Sequence, residues 1–307
     1  MSFAYDVKKE LCKVPEEKSC CLLSECYGFV LGCRSFSKSE IVLQSEHEEV
    51  ARRFCWLLKE VCGITVRPLA PARSGGFYTV RLRESFNCLT ILGAFGYSGD
   101  EPFLRINRAN FEDDCCIGAF LRGMFCACGS VTDPNRVYHF EFSVGKYHLA
   151  QDVTALMGEY LSRPKITTRK SGYVVYHKES EKIEDILTYM QAVSSSMALM
   201  EIKILKDLRN KINRATNCKT ANLGKSLEAG RRHLDAIATI ETLASLDMLS
   251  AELKEIAVLR RDNPEASLSE LGGMLESPLS RSGANHRLSK IVDIANKLKL
   301  QKEQENS

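Results

Sequence analysis

Two stretches of this chain follow one plan, and that plan limits the fold more than any other feature. Residues 121–131 read Leu-Arg-Gly-Met-Phe-Cys-Ala-Cys-Gly-Ser-Val, and residues 26–36 read Cys-Tyr-Gly-Phe-Val-Leu-Gly-Cys-Arg-Ser-Phe. Each sets a glycine inside a helix (Gly28, Gly123), follows it with bulky apolar residues, and places a cysteine before a turn (Cys33, Cys128). A glycine inside a helix costs about 1 kcal/mol relative to alanine. Two at matching places predict that backbones approach closely there, because small residues let helices cross in contact. The two helices are therefore expected to pack face to face as the seam of a pseudo-twofold domain.

The order of elements around the two motifs repeats as well. In the first half, an amphipathic opening helix on Phe3, Val7 and Leu11 ends near Pro15, and the Gly28 helix occupies 21–31. A strand at 41–44 precedes a helix over 46–62 built on Val50, Phe54, Leu57, Leu58 and Val61, with Gly63 as its stop. Strands at 64–69 and 77–82 flank a Pro/Gly-rich hairpin signal, and a short helix at 85–92 closes the unit. After a Gly/Ser/Asp stretch at 96–101 come a helix (113–127), strands (130–132, 137–144), a helix (146–161), strands (165–168, 173–177) around a turn at 170–172, and a helix (181–192). The expected architecture is α+β: two αββαββα halves, 1–95 and 96–195, each with a four-stranded antiparallel sheet. Strand signals then stop. A basic helical linker (196–245), a helical domain (246–300) and a tail (301–307) complete the chain.

A net charge of +3 is too small to point to a nucleic-acid partner by itself, so the distribution of charge matters more. Between residues 203 and 232 the basic side chains face only Asp207 and Glu228, and Lys211, Arg214 and Lys219 stand among Asn and Thr, the side-chain types that contact phosphate. Farther on, Ser267 and Glu270 form a capping box, and Pro278 suits a first helical position. The last helix then shows Ala284, Leu288, Ile291, Ala295 and Leu298 on one face. Three helices so spaced predict a helix-turn-helix, with Arg281, Ser282, Asn285 and His286 nearest base edges, Arg287 and Lys290 on phosphates, and Ser280 beside them in the DNA-binding set. A second basic group, Arg67, Arg73, Arg81 and Arg83, lies on and around the first-half hairpin as a candidate surface for the DNA backbone.

Other functions find little support. No apolar run approaches the roughly 18 residues of a membrane span, and the opening residues do not form a signal peptide, so a cytoplasmic, nucleoid-associated protein is expected. Phosphate-loop and nucleophile-elbow motifs are missing from the sequence. Thirteen cysteines are scattered without a C-x-x-C pair and read as reduced thiols on apolar helix faces. No metal, cofactor or small-molecule substrate is expected.

The paired helices resemble the LAGLIDADG helices of homing endonucleases. Those enzymes end each central helix in an acidic residue, and the two carboxylates hold divalent metal for phosphodiester hydrolysis. Laid on that motif, Gly28 and Gly123 stand at its first glycine, Cys33 and Cys128 at the metal-binding acid, and Leu31 and Cys126 at the other aspartate. The resemblance therefore implies a nuclease fold without nuclease activity. A degenerate domain of this kind, a basic helical linker and a carboxy-terminal helix-turn-helix together resemble the WhiA family of bacterial regulators. The matching segments are Phe120-Leu-Arg-Gly-Met-Phe with Cys128-Gly-Ser-Val-Thr-Asp-Pro, Asn213-Arg-Ala-Thr-Asn-Cys-Lys-Thr-Ala-Asn-Leu, and Ser267-Leu-Ser-Glu-Leu-Gly with Pro278-Leu-Ser-Arg-Ser-Gly-Ala-Asn-His-Arg-Leu. The first glycine motif departs from the pattern, with Arg34 at the usual glycine of its turn. Membership implies binding to double-stranded DNA and a role in sporulation septation or, in Firmicutes, in cell division and chromosome segregation. The division-linked role is the first expectation here, exercised as a transcriptional regulator; the alternatives are a non-transcriptional division factor whose N-terminal domain docks a protein such as a sigma factor and, behind it, a residual DNA-processing enzyme.

Overall fold

The computed structural model describes residues 2–15, 18–73, 75–170 and 172–305, and the chain divides into two units, Met1–Asp207 and Leu208–Ser307. The first unit opens with α1 (Phe3–Leu11), α2 (Ser19–Leu31), β1 (Ser35–Phe36), β2 (Ile41–Ser45), α3 (Glu48–Cys62), β3 (Tyr78–Leu82) and α4 (Ser85–Ala94). The plan then restarts with α5 (Asp114–Cys128), β4 (Gly129–Val131), β5 (Phe140–Val144), α6 (Tyr147–Tyr160), β6 (Lys165–Arg169), β7 (Gly172–His177) and α7 (Ser180–Tyr189). The fold is α+β, with each half supplying one sheet and one central helix.

The seam is built as the two glycines require. A Cβ on Gly28 would lie 2.0 Å from the Phe120 carbonyl oxygen, and one on Gly123 would lie 2.0 Å from the Glu25 carbonyl oxygen. Each glycine thus seats the backbone of the opposite helix, and α2 and α5 run side by side in the same direction. Tyr27, Phe29 and Val30 from α2 and Phe120, Leu121, Met124 and Phe125 from α5 are buried around this contact. The sheets extend from it: the second is antiparallel in the order β4-β5-β7-β6, and alternate residues Phe140, Phe142 and Val144 of β5 face the core. The 170–172 turn joins β6 to β7, although its Ser171 lies outside the described residues.

The first sheet corrects an expectation. Among the described residues it has three strands, β1-β2-β3, rather than four. The segment expected as a strand at 64–69 contributes a single bridge, Leu69 to Thr79, through backbone bonds of 2.8 and 2.9 Å. Leu69 and Thr79 exchange both bonds, so residue 71 would be the next ladder donor on one side, and Pro71 has no N–H to supply, which stops the pairing in that direction. Ser74 of the hairpin signal lies outside the described residues.

A 51-residue helix, α8 (Val193–Leu243), begins in the first unit and ends in the second, and residues 207–228 along it are all exposed. The second unit is all-α. Ala236, Ile237 and Ile240 near the end of α8 share a core with α9 (Ala251–Asp262), α10 (Leu268–Gly273) and α11 (Arg281–Glu305). The capping box forms: the Ser267 hydroxyl accepts from the Glu270 amide at 3.3 Å, and the Glu270 carboxylate accepts from the Ser267 amide at 2.7 Å. Pro278 is not the first helical residue. The Leu279 amide is bonded to the Gly272 carbonyl at 2.9 Å, residues 278–280 lie outside the helix, and Ser280 caps α11 instead by accepting from the Gly283 amide at 3.3 Å. The helix also runs beyond residue 300, into the segment read as a tail, of which residues 306–307 lie outside the described part.

One buried group makes this core sensitive to pH. His233 is 6% exposed and faces Arg260, itself 4% exposed. Burial, aided by the charges of Arg260 and Arg232, holds the imidazole down at about 4. An unfolded histidine titrates near 6.5, so on acidification the unfolded chain takes up a proton that the folded core refuses. The stability from this group is complete above pH 6.5 and is lost as pH falls towards 4. A loss of about 1–3 kcal/mol over that window is expected. Thermal unfolding of the full chain at pH 7 and pH 5 should show it, and His233→Gln should shrink the difference; an unchanged difference would remove His233 as its source.

Candidate nucleic-acid interface

The start of α11 carries the first candidate surface. Helical geometry turns Ala284, Leu288 and Ile291 inward, where all three are buried, and leaves Arg281, Ser282, Asn285, His286 and Lys290 exposed together with the cap residue Ser280. The free amides of this first turn give the exposed end a positive potential. Arg287 stands apart from its neighbours. Its guanidinium lies 3.2 Å from Glu252 of α9 and its side chain is 16% exposed, so it is engaged within the protein. Lys211, Arg214 and Lys219 are exposed on α8.

The sheets of the first unit carry the second. Arg67, Arg73, Arg81 and Arg83 are all exposed. Arg81 sits on the outer face of β3 opposite Val42, whereas Arg83 follows the strand and approaches Glu40 at 4.0 Å. On the second sheet, a group that sequence reasoning did not pick out occupies the outer face. Glu141 accepts from both terminal nitrogens of Arg169 at 2.8 Å and lies 2.8 Å from His139, whose ring stacks on Tyr176. The alternation of β5 puts Glu141 outward, but only the pairing of β6 with β7 and β7 with β5 brings Arg169 to it.

Where the two central helices end, Cys33 and Cys128 flank a cavity of about 430 Å³. Burial pushes both thiols up, Cys128 to about 12 despite the nearby charge of Lys8. At neutral pH both are uncharged, and sulfur is a poor ligand for hard ions such as Mg²⁺. The charged side chains on the described lining of this cavity are Arg34 and Lys146, with no carboxylate among them.

The cysteines correct a further expectation. Read as scattered, four of them converge in space: Cys20 and Cys21 from the start of α2, with Cys115 and Cys116 from the start of α5. The repeat itself held the signal. Cys20 and Cys21 precede Gly28 by the same spacing at which Cys115 and Cys116 precede Gly123.

A glycine-notched pair of helices with a sheet from each half, followed by an all-α unit with a capped, polar-faced last helix, defines the class: a LAGLIDADG-like domain joined to a DNA-binding helix-turn-helix. Comparison with known proteins agrees. The family models for the WhiA C-terminal HTH domain and the WhiA LAGLIDADG-like domain match residues 212–295 and 117–209. The probable cell division protein WhiA of Lachnoclostridium phytofermentans is 36% identical over 313 residues, spanning 97% of this chain and 100% of that protein. Its counterpart in Bacillus mycoides is 39% identical over 312 residues, spanning 97% and 98%. The full-length DUF199/WhiA crystal structure from Thermotoga maritima shares the fold, with a TM-score of 0.60 at 23% identity over 97% of this chain and 99% of that one. The chain belongs to the WhiA family. No helix among the described residues is long and apolar enough to cross a membrane.

Proposed function

We propose that this chain is a DNA-binding regulator in bacterial cell division and chromosome segregation, acting at the nucleoid, that reads double-stranded DNA with the first turns of α11. The observation that carries this reading is the split of α11 into a buried apolar face and an exposed face bearing Arg281, Ser282, Asn285 and His286. Arginine matches guanine and asparagine matches adenine in the major groove. Lys290, one turn on, suits a phosphate, whereas Arg287 serves chiefly to hold α11 against α9 through Glu252.

Fluorescence anisotropy on promoter DNA pools, titrated over salt, tests this division of labour. Arg281→Ala should cost about 1–3 kcal/mol and relax preference at one base step. Lys290→Ala should weaken all sequences alike and lower the salt slope by about one. Equal losses on every sequence for Arg281→Ala would take it out of the reading role.

The nuclease-like domain, in this reading, no longer cleaves DNA. Support comes from the cavity beside Cys33 and Cys128, whose described charged side chains are basic. A hydrolytic metal pair needs carboxylates there. Supercoiled plasmid should remain intact with Mg²⁺ and the full chain; Mg²⁺-dependent nicking that co-purifies with the chain would contradict this. The sheets admit a second role. Glu141 neutralises Arg169 on the outer face, which favours a protein partner, such as a sigma factor, over a continuous phosphate track. Unchanged DNA affinity in Arg81→Ala would support the docking role, and a reduced salt slope would favour phosphate contact by Arg67, Arg73, Arg81 and Arg83.

A further inference from the structure

We infer that Cys20, Cys21, Cys115 and Cys116 form a four-thiolate site for a tetrahedral divalent ion, Zn²⁺ by its chemistry, which clamps the two halves of the first unit together. All four sulfurs lie within 4.8 Å of one another. The Cys21 and Cys115 sulfurs are 3.4 Å apart. A tetrahedral Zn²⁺ with bonds of about 2.3 Å holds its sulfurs about 3.8 Å from each other, so the ion fits with sub-ångström adjustments. A four-iron cluster spreads its four thiolates over the corners of a cube and needs a wider opening than this.

The surroundings suit an anionic site. All four thiols sit in the first turns of α2 and α5, where free backbone amides favour thiolate over thiol. The Lys18 ammonium lies 3.8 Å from the Cys115 sulfur and offsets part of the charge. Cys20, Cys21 and Cys116 are buried beside Ala119 and Phe111, which keeps water from the thiolates, while Cys115 is exposed and offers an entry path.

Loading is a balanced exchange. Zn²⁺ replaces four thiol protons, which leave to solvent, and forms four Zn–S bonds with a net charge of −2 and no redox change. Two ligands come from each half, so the ion ties together helix ends that are 94 residues apart in the chain. The clamp lies at the opposite ends of α2 and α5 from Cys33 and Cys128. It is therefore separate from the vestigial nuclease position and has a structural role, because four protein ligands leave no open coordination site.

The test uses the full chain, purified under reduction, stripped with chelator and refilled with Zn²⁺ or Co²⁺. Elemental analysis should find about one ion per chain, and the Co²⁺ form should show thiolate-to-cobalt charge transfer with intense visible bands of tetrahedral geometry. Cys115→Ser, which changes an exposed side chain, should weaken the metal by more than the roughly 10-fold lost with an outer-shell partner. Cys218→Ser, an exposed cysteine on α8, should leave stoichiometry and spectrum unchanged. If Cys115→Ser proves insoluble, the wild-type cobalt spectrum and a thiol titration that frees four cysteines together with one Zn²⁺ decide the matter. Wild-type protein that takes up no stoichiometric ion, or that isolates metal-free with a Cys21–Cys115 disulfide, overturns the proposal.

Discussion

Gly123→Ala is expected to unfold the first unit or to leave it only marginally stable. The added Cβ would sit 2.0 Å from the Glu25 carbonyl oxygen, 2.9 Å from its carbon and 3.0 Å from the Phe29 nitrogen. All three are backbone atoms of α2, so no side chain can swing aside. Relief requires the two central helices to separate by more than an ångström along the best-packed contact in the unit. Ordinary overpacking costs about 1–3 kcal/mol, and a forced shift of backbone against backbone belongs at or above the top of that range. The gain in helix propensity is about 1 kcal/mol and cannot reverse the sign. Gly93→Ala is the control. It also replaces a helical glycine, in α4, but its Cβ would meet nothing within 4 Å, so a neutral effect or a gain of about 0.5 kcal/mol is expected. Denaturant unfolding followed by circular dichroism separates the two. Equal midpoints for Gly123→Ala and the parent chain would show that the seam tolerates a methyl group and that its glycines serve another purpose.

These glycines were legible in the sequence because a costly residue repeated at equal spacing demands a packing reason. The limits of that reading are physical too. Hydrophobic alternation at 64–69 suggests a strand, but alternation does not weigh the missing N–H of Pro71, the next ladder donor, which stops the pairing just past Leu69. The polar face of α11 could be read from Ala284, Leu288 and Ile291 alone. Arg287 could not, because its partner Glu252 lies on another helix and an exposed arginine and a paired one look alike in one dimension. The same holds for Glu141 and Arg169, joined only through sheet order. The cysteine cluster is the instructive case. Metal-site spacing rules look within one local loop, whereas here each ligand pair lies in a different half, and only the pseudo-twofold superposition of the halves exposes it.

Glu25→Ala should be the second severe change, for an electrostatic reason. Glu25 is 0% exposed at the seam, between Arg122, 1% exposed, and the partly buried Arg53. One carboxylate oxygen accepts from Arg122 Nε and Nη2 at 3.0 and 2.8 Å and from Arg53 Nη2 at 2.8 Å; the other accepts from Arg53 Nε at 2.9 Å. Removing the carboxylate strips both guanidinium groups of the charge they share, and breaking a buried pair in this way costs about 3–5 kcal/mol. The pair also marks where the two halves differ. Three residues before the seam glycines stand Glu25 and Phe120, and one residue before stand Tyr27 and Arg122. One side of the crossing is therefore Tyr27 against Phe120, with ring centroids 5.5 Å apart, and the other is Glu25 against Arg122. A mismatched pairing of two α2 helices from different chains would set Glu25 against Tyr27 and lose the Arg122 guanidinium, so the charge favours α2 taking α5. Glu25→Leu combined with Arg122→Leu should then recover the part of the loss that comes from Arg122, because apolar replacement of a buried pair is often neutral, while Arg53 still lacks its carboxylate. A double-mutant cycle from unfolding midpoints measures the coupling, expected at about 2 kcal/mol or more. Additive losses would mean that Arg122 is held chiefly by other groups and that the charge does not select the partner helix.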